Sequence, residues 1–130
     1  MNTLRQVYIY PRIKKKKKIK SVALQGNPQK RAICLRVFIT TPRKPNSAKR
    51  KVARVILSNK KKITICIPGK DHRLQKFSKV LVRGGNIRDI PGVKYRAIRG
   101  KLDLIPWIGR KTARSKYGIK NTHISVKKLR

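Results

Sequence analysis

Acidic residues are nearly missing from this 130-residue chain, which sets 3 Asp plus Glu against 38 Lys plus Arg for a formal net charge of +35. Glutamate is absent altogether. Self-repulsion of that size disfavours a compact chain in dilute salt, and a polyanion is the natural partner, with counterion release supplying much of the affinity. Acid–base catalysis has little to draw on: His72, His123, Asp71, Asp89 and Asp103 complete the inventory, and neither a phosphate-loop pattern nor a metal-ligand cluster occurs. We therefore expect no enzyme, no cofactor and no metal. Long apolar runs are lacking too. Nothing approaches the roughly 20 residues that span a bilayer, and no segment has a clean amphipathic stripe, so no membrane partner is expected. Cysteine is limited to Cys34 and Cys66, each within an apolar β-like stretch and without CxxC or Cys/His spacing. They read as buried free thiols in a reducing compartment.

What is present divides the chain in three. Residues 1–30 contain "PRIKKKKKIK" and the breakers of "QGNPQK", the composition of an extended basic arm. From residue 31 the hydrophobic period becomes two: "AICLRVFIT" sets Ile33, Leu35, Val37 and Ile39 on one face, and "KITICI" sets Ile63, Ile65 and Ile67 on one face. "KVARVILS", "SKVLVR" and "VKYRAIRG" complete a set of five strands over residues 31–105. Five short strands in a basic chain predict an all-β fold, an OB-type barrel with a long basic N-terminal arm and a basic C-terminal tail over 106–130.

Two loops stand out. "TTPRKPNSAKRK", between the first two strands, places Pro42 and Pro45 among Arg43, Lys44, Lys49 and Arg50. Proline fixes its own φ and restricts the residue before it, so the loop is stiffened in advance. "RGGNIRDIPG", between the fourth and fifth strands, carries Gly84 and Gly85, which permit positive φ and close backbone approach, and a tight turn at Pro91 and Gly92, framed by Arg83 and Arg88. Asp89 has two readings there: it accepts backbone amides or orients Arg88 or Lys94, or it meets a partner's hydroxyl or a metal. In the tail, Arg110, Arg114 and Lys116 suit phosphates. Tyr117 either stacks on a base or packs on the barrel, and Trp107 covers an edge of the core.

Three stretches, "PQKRAICLRVFITTPRKPNSAKRKVARV", "RGGNIRDIPGVKYRAIRGKLD" and "RKTARSKYGIK", resemble the bacterial-type small-subunit ribosomal proteins of the S-twelve family from about residue 28 to residue 120. The "KPNSA" and "DIPGVKY" blocks are its most specific marks. The resemblance implies an OB-type barrel with an N-terminal arm threaded through small-subunit rRNA and two loops at the decoding site that contribute to translational accuracy and the response to streptomycin. By position, Lys44, Pro45, Asn46 and Ser47 match the first decoding loop, and Arg88, Asp89, Ile90, Pro91 and Gly92 the second, where the family usually has Lys in place of Arg88. The rRNA-binding set expected beside them is Lys14, Lys15, Lys16, Lys17 and Lys18 in the arm, Lys30, Arg31, Arg43, Lys49, Arg50 and Arg83 in and around the barrel, and Arg110, Arg114, Lys116 and Tyr117 in the tail. The implied partners are small-subunit rRNA, mRNA and tRNA at the decoding site, neighbouring ribosomal proteins and translation elongation factors.

The chain departs from that pattern in "GKDHRLQKFSK" and "PWIGR", where bacterial members carry acids after the third strand and a "GVKDR" block. Its lysine run and its many Ile, Lys and Asn residues suit a drifted, AT-rich genome. With a start that aligns on the family's own and leaves no room for a transit segment, we expect an organelle-encoded protein of the mitochondrion, with plastid and bacterial cytoplasm as alternatives. Two rival classes are a DNA-compacting or RNA-chaperone module and a cationic secreted toxin. Neither accounts for the two stiff loops.

Overall fold

The computed structural model describes residues 3–10, 13–14 and 20–121. Its five strands are β1 (Gln29–Thr40), β2 (Arg50–Leu57), β3 (Lys62–Cys66), β4 (Lys79–Gly84) and β5 (Tyr95–Ile98). They close into a barrel in the order β1-β2-β3-β5-β4. Every pairing is antiparallel except β3 with β5, which is the OB-type arrangement expected from the spacing of the strands.

Period-two alternation drives the closure. Val55 and Leu57 of β2, Ile65 of β3, Val80 and Val82 of β4 and Ala97 of β5 point inward and are buried. Their burial follows the hydrophobic effect and is indifferent to the charge outside. In β1 the core takes Ala32 and Cys34, whereas Ile33 and Ile39 are 41% and 62% exposed. The face predicted from Ile33, Leu35, Val37 and Ile39 is therefore broken: the register shifts between Cys34 and Arg36. A bulge there moves one residue out of alternation, so the apolar side chains before and after it lie on opposite faces. Cys34 and Cys66 are free thiols, the first buried and the second half-buried. Burial, helped by Asp103, pushes the Cys34 thiol up to about 11.

The ends of the chain contribute more than an arm and a tail. The six-residue helix α1 (Leu4–Ile9) starts at a capping box made by Thr3 and Gln6, where an extended arm was expected. A 3-10 turn at Val22–Leu24 inserts Ala23 and Leu24 into the barrel core, and the Tyr95 hydroxyl accepts a bond from the Ala23 amide. At the other end, the Trp107 amide donates to the Tyr117 carbonyl. Gly118 has φ +75, and a Cβ there would lie 2.7 Å from the Arg99 carbonyl oxygen. Only glycine lets the tail's backbone come that close.

Arg99 is the one buried charged side chain among the described residues, 3% exposed. No carboxylate among the described residues lies within ion-pair distance of it, although the Asp71 charge is near enough to be felt. Its guanidinium donates to the carbonyls of Pro68, Lys70, Asp71 and Ile105. The planar five-donor fork suits this task, gathering two loops by their backbone dipoles. Burial pulls its pKa down, with Asp71 opposing.

Arg99→Met should leave those carbonyls without their donor, each at a cost of about 1–3 kcal/mol less what water recovers. We expect a loss of about 3 kcal/mol or more in thermal unfolding, against under about 1 kcal/mol for the control Arg54→Met at an exposed site. A loss at Arg99 no larger than at Arg54 would show that the carbonyls are held by other means.

Candidate nucleic-acid interface

Both loops leave the same end of the barrel, and distinct devices hold each in place. Pro42 is buried at the base of the β1–β2 loop, while Arg43 to Lys49 are exposed. The Lys44–Pro45 bond is cis, and the Asn46 amide donates to the Arg43 carbonyl at 3.1 Å. The β4–β5 loop is fixed from beneath. Cross-strand partners Phe38, Val52 and Cys66 form a row on the outer face of the barrel, and Ile87, Ile90 and Val93 pack over it. Ile90, expected among the decoding residues, is thus 3% exposed and anchors the loop. Gly92 has φ +78 at the Pro91–Gly92 turn.

Gly84 and Gly85 act otherwise than expected, since neither has positive φ. What they supply is room. A Cβ on Gly84 would meet Ser21, and one on Gly85 would lie 3.1 Å from the Arg96 side chain.

Asp89 joins the two loops. Its Oδ2 accepts from Arg50 Nε at 3.0 Å, and Arg50 Nη2 lies 3.0 Å from the same oxygen. The Asp89 carbonyl accepts the Arg43 amide at 2.9 Å. The partner is therefore Arg50, at the start of β2, and not Arg88 or Lys94. Sequence distance hid this pair, whose members are 39 residues apart. With the loops so joined, Arg43, Lys44, Pro45 and Asn46 face Asn86, Ile87, Arg88 and Arg96 across a cleft of about 600 Å³. A second cleft of about 560 Å³ adjoins it, lined in part by Lys49, Arg50, Lys51, Lys70 and Tyr117.

Arg96 was not foreseen. It borders both clefts, and its buried Nε has no hydrogen-bond partner. The signal was present in the alternation of "YRAI", which sends Arg96 outward beside Ala97. Tyr117 is half-buried at the border of the second cleft. Its ring meets Trp107 edge-on at 5.0 Å, with the Arg110 guanidinium 5.1 Å from its centroid and 5.2 Å from that of Trp107. His72 is half-buried and accepts the Leu74 amide on Nδ1. Burial, with Lys51 and Arg99 nearby, lowers its pKa.

The remaining expected residues are scattered. Arg83 is exposed on β4, Arg114 and Lys116 lie on the 3-10 turn at Arg114–Tyr117, and Lys14 is exposed. Lys30, bonded to Gln25, and Arg31 sit at the start of β1, paired with Val82 and Leu81 near the end of β4. Lys15, Lys16, Lys17 and Lys18 lie outside the described residues. Among the described residues no cluster of His, Cys, Asp and Glu could hold a metal ion.

A closed five-stranded barrel with two cationic loops locked edge to edge defines a nucleic-acid-binding barrel protein, built to bind by charge and shape. The family model for ribosomal protein S12/S23 matches residues 17–123, and the chain belongs to that family. It is accordingly a structural, non-enzymatic protein of the small ribosomal subunit that binds rRNA among other ribosomal proteins.

Asp89→Asn should loosen the junction without unfolding the barrel, because an ion pair with Arg50 43% exposed is worth no more than about 1 kcal/mol. Amide exchange at Arg43 should rise about fivefold, the factor such an energy gives, with core amides unchanged. Equal exchange in both proteins would mean that the loops hold their places independently.

Proposed function

We propose that the two joined loops lie at the decoding site of the small subunit, beside mRNA and tRNA, and contribute to the accuracy of translation. The observation that carries this reading is the Arg50–Asp89 junction. It fixes the relative position of two polar loop tips while leaving Lys44, Asn46, Ser47 and Arg88 exposed. A surface that only neutralised RNA would need charge alone, since phosphate contacts carry no geometric information about a base pair. A fixed pair of tips can respond to the shape of a minihelix. Asn46 and Ser47 supply hydrogen-bonding groups for RNA hydroxyls, and Lys44 and Arg88 supply charge for phosphates.

In this reading Lys44 and Arg88 bias the subunit toward its closed, accepting state by attraction to RNA that is stronger there. A ligand or contact shifts a two-state equilibrium only by its differential affinity for the two states. Elongation factors engage the same region in its closed form. We further propose the mitochondrion as the site of action, on the lysine- and isoleucine-rich drift of the sequence; a tagged chain sedimenting with small subunits from another compartment would refute that assignment.

Near-cognate misincorporation by ribosomes carrying Lys44→Ala or Arg88→Ala tests the decoding role. Each loss of charge should lower the error frequency, by about fivefold for a shift of about 1 kcal/mol. Pro45→Ala should instead alter accuracy by releasing backbone freedom in the loop. Parental error frequency and streptomycin sensitivity in all three, with normal incorporation into subunits, would make the loops scaffold only.

A further inference from the structure

The barrel carries a second, more apolar surface that shares no lining residue with the loop clefts. On its outer face β2 and β1 pair Ile56 with Ile33, and Ile33 is in turn opposite Lys79 of β4. One step along, Leu81 lies between Arg31 and Ile98. Leu102, at φ +54, is held beside this row because the Asp103 amide and carboxylate bond the backbone of Lys79. Ile33 and Leu102 are 41% and 48% exposed. Between them runs a groove of about 540 Å³ with an aliphatic floor of Ile33, Ile56, Leu57 and Leu102 and a rim of Arg31 and Lys79.

We propose that this groove is a docking site for a neighbouring ribosomal protein, which inserts an apolar side chain flanked by Asp or Glu. The floor chooses that occupant over RNA, and the rim sets the charge of its flanks. The floor is aliphatic and no aromatic side chain lines the groove, so a base entering it would meet no ring to stack on and only the Arg31 guanidinium at the rim. The rim is cationic with its one nearby acid, Asp103, already engaged by the Lys79 amide, so the matching surface is acidic. Contiguous exposed aliphatic surface with a polar rim is the usual mark of a protein interface. The inference does not depend on the decoding reading and uses none of its residues.

A photoreactive benzophenone amino acid in place of Ile33, in chains assembled into small subunits, tests the proposal, with Asn86 substituted likewise as the comparison. Irradiation should join position 33 to one ribosomal protein, through a peptide that carries Asp or Glu next to an apolar residue, and position 86 to RNA. Leu102→Glu should reduce the yield of that cross-link at position 33 at least tenfold while the salt dependence of rRNA binding stays unchanged. The proposal is overturned by a cross-link from position 33 to rRNA, to this chain's own C-terminal segment or to a second copy, by a joined peptide without acids, or by no cross-link at all. It is equally overturned if Leu102→Glu assembles and leaves the yield intact. Should that variant fail to assemble, Ile56→Lys, which adds like charge to the rim, serves in its place with the same two outcomes.

Discussion

The geometry of the RNA-facing end depends on one carboxylate. In a chain with +35 net charge, neighbouring cationic loops repel each other, and nothing in their composition would keep them together. Asp89 reverses that locally: its side chain holds Arg50 and its carbonyl holds the Arg43 amide. The pair adds little to global stability, as partly exposed ion pairs do. Its effect is positional, converting two repelling segments into one surface with a cleft between them.

That surface rests on a barrel whose own cohesion is independent of charge. The inward rows of Val, Ile, Leu and Ala supply it, and the outer row of Phe38, Val52 and Cys66 supplies a platform for the β4–β5 loop. Arg99 ties the remaining loops by four carbonyls, which lets a buried cation exist without a direct ion pair. The scarcity of acids thus shapes the whole molecule: one is spent at the loop junction, one on the Lys79 backbone, and backbone dipoles do the rest.

How much of this could be read in advance follows from the range of each effect. Strands β2 to β5 were legible because alternation is local, and "KITICI" announces its own buried face. The first strand misled, since a bulge at Leu35 is set by the partner strands and leaves no local mark. The loops were visible through Pro42, Pro45 and the Pro91–Gly92 turn. Their junction was not, because Arg50 and Asp89 meet only after the barrel closes. Gly85 and Gly118 look alike in the sequence, yet one clears space for Arg96 and the other lets two backbones touch. Composition pointed to a polyanion and could not show that Ile33 and Leu102 leave a groove with an aliphatic floor outside the loop clefts.

The central claim is that the two loops act as one unit through Arg50 and Asp89. A double-mutant cycle on near-cognate misincorporation, with Arg50→Met, Asp89→Asn and both together in assembled ribosomes, measures that coupling directly. The account predicts that the double variant errs no more differently from the parent than the stronger single one, because either change already breaks the junction. Fully additive effects of the two substitutions would contradict it.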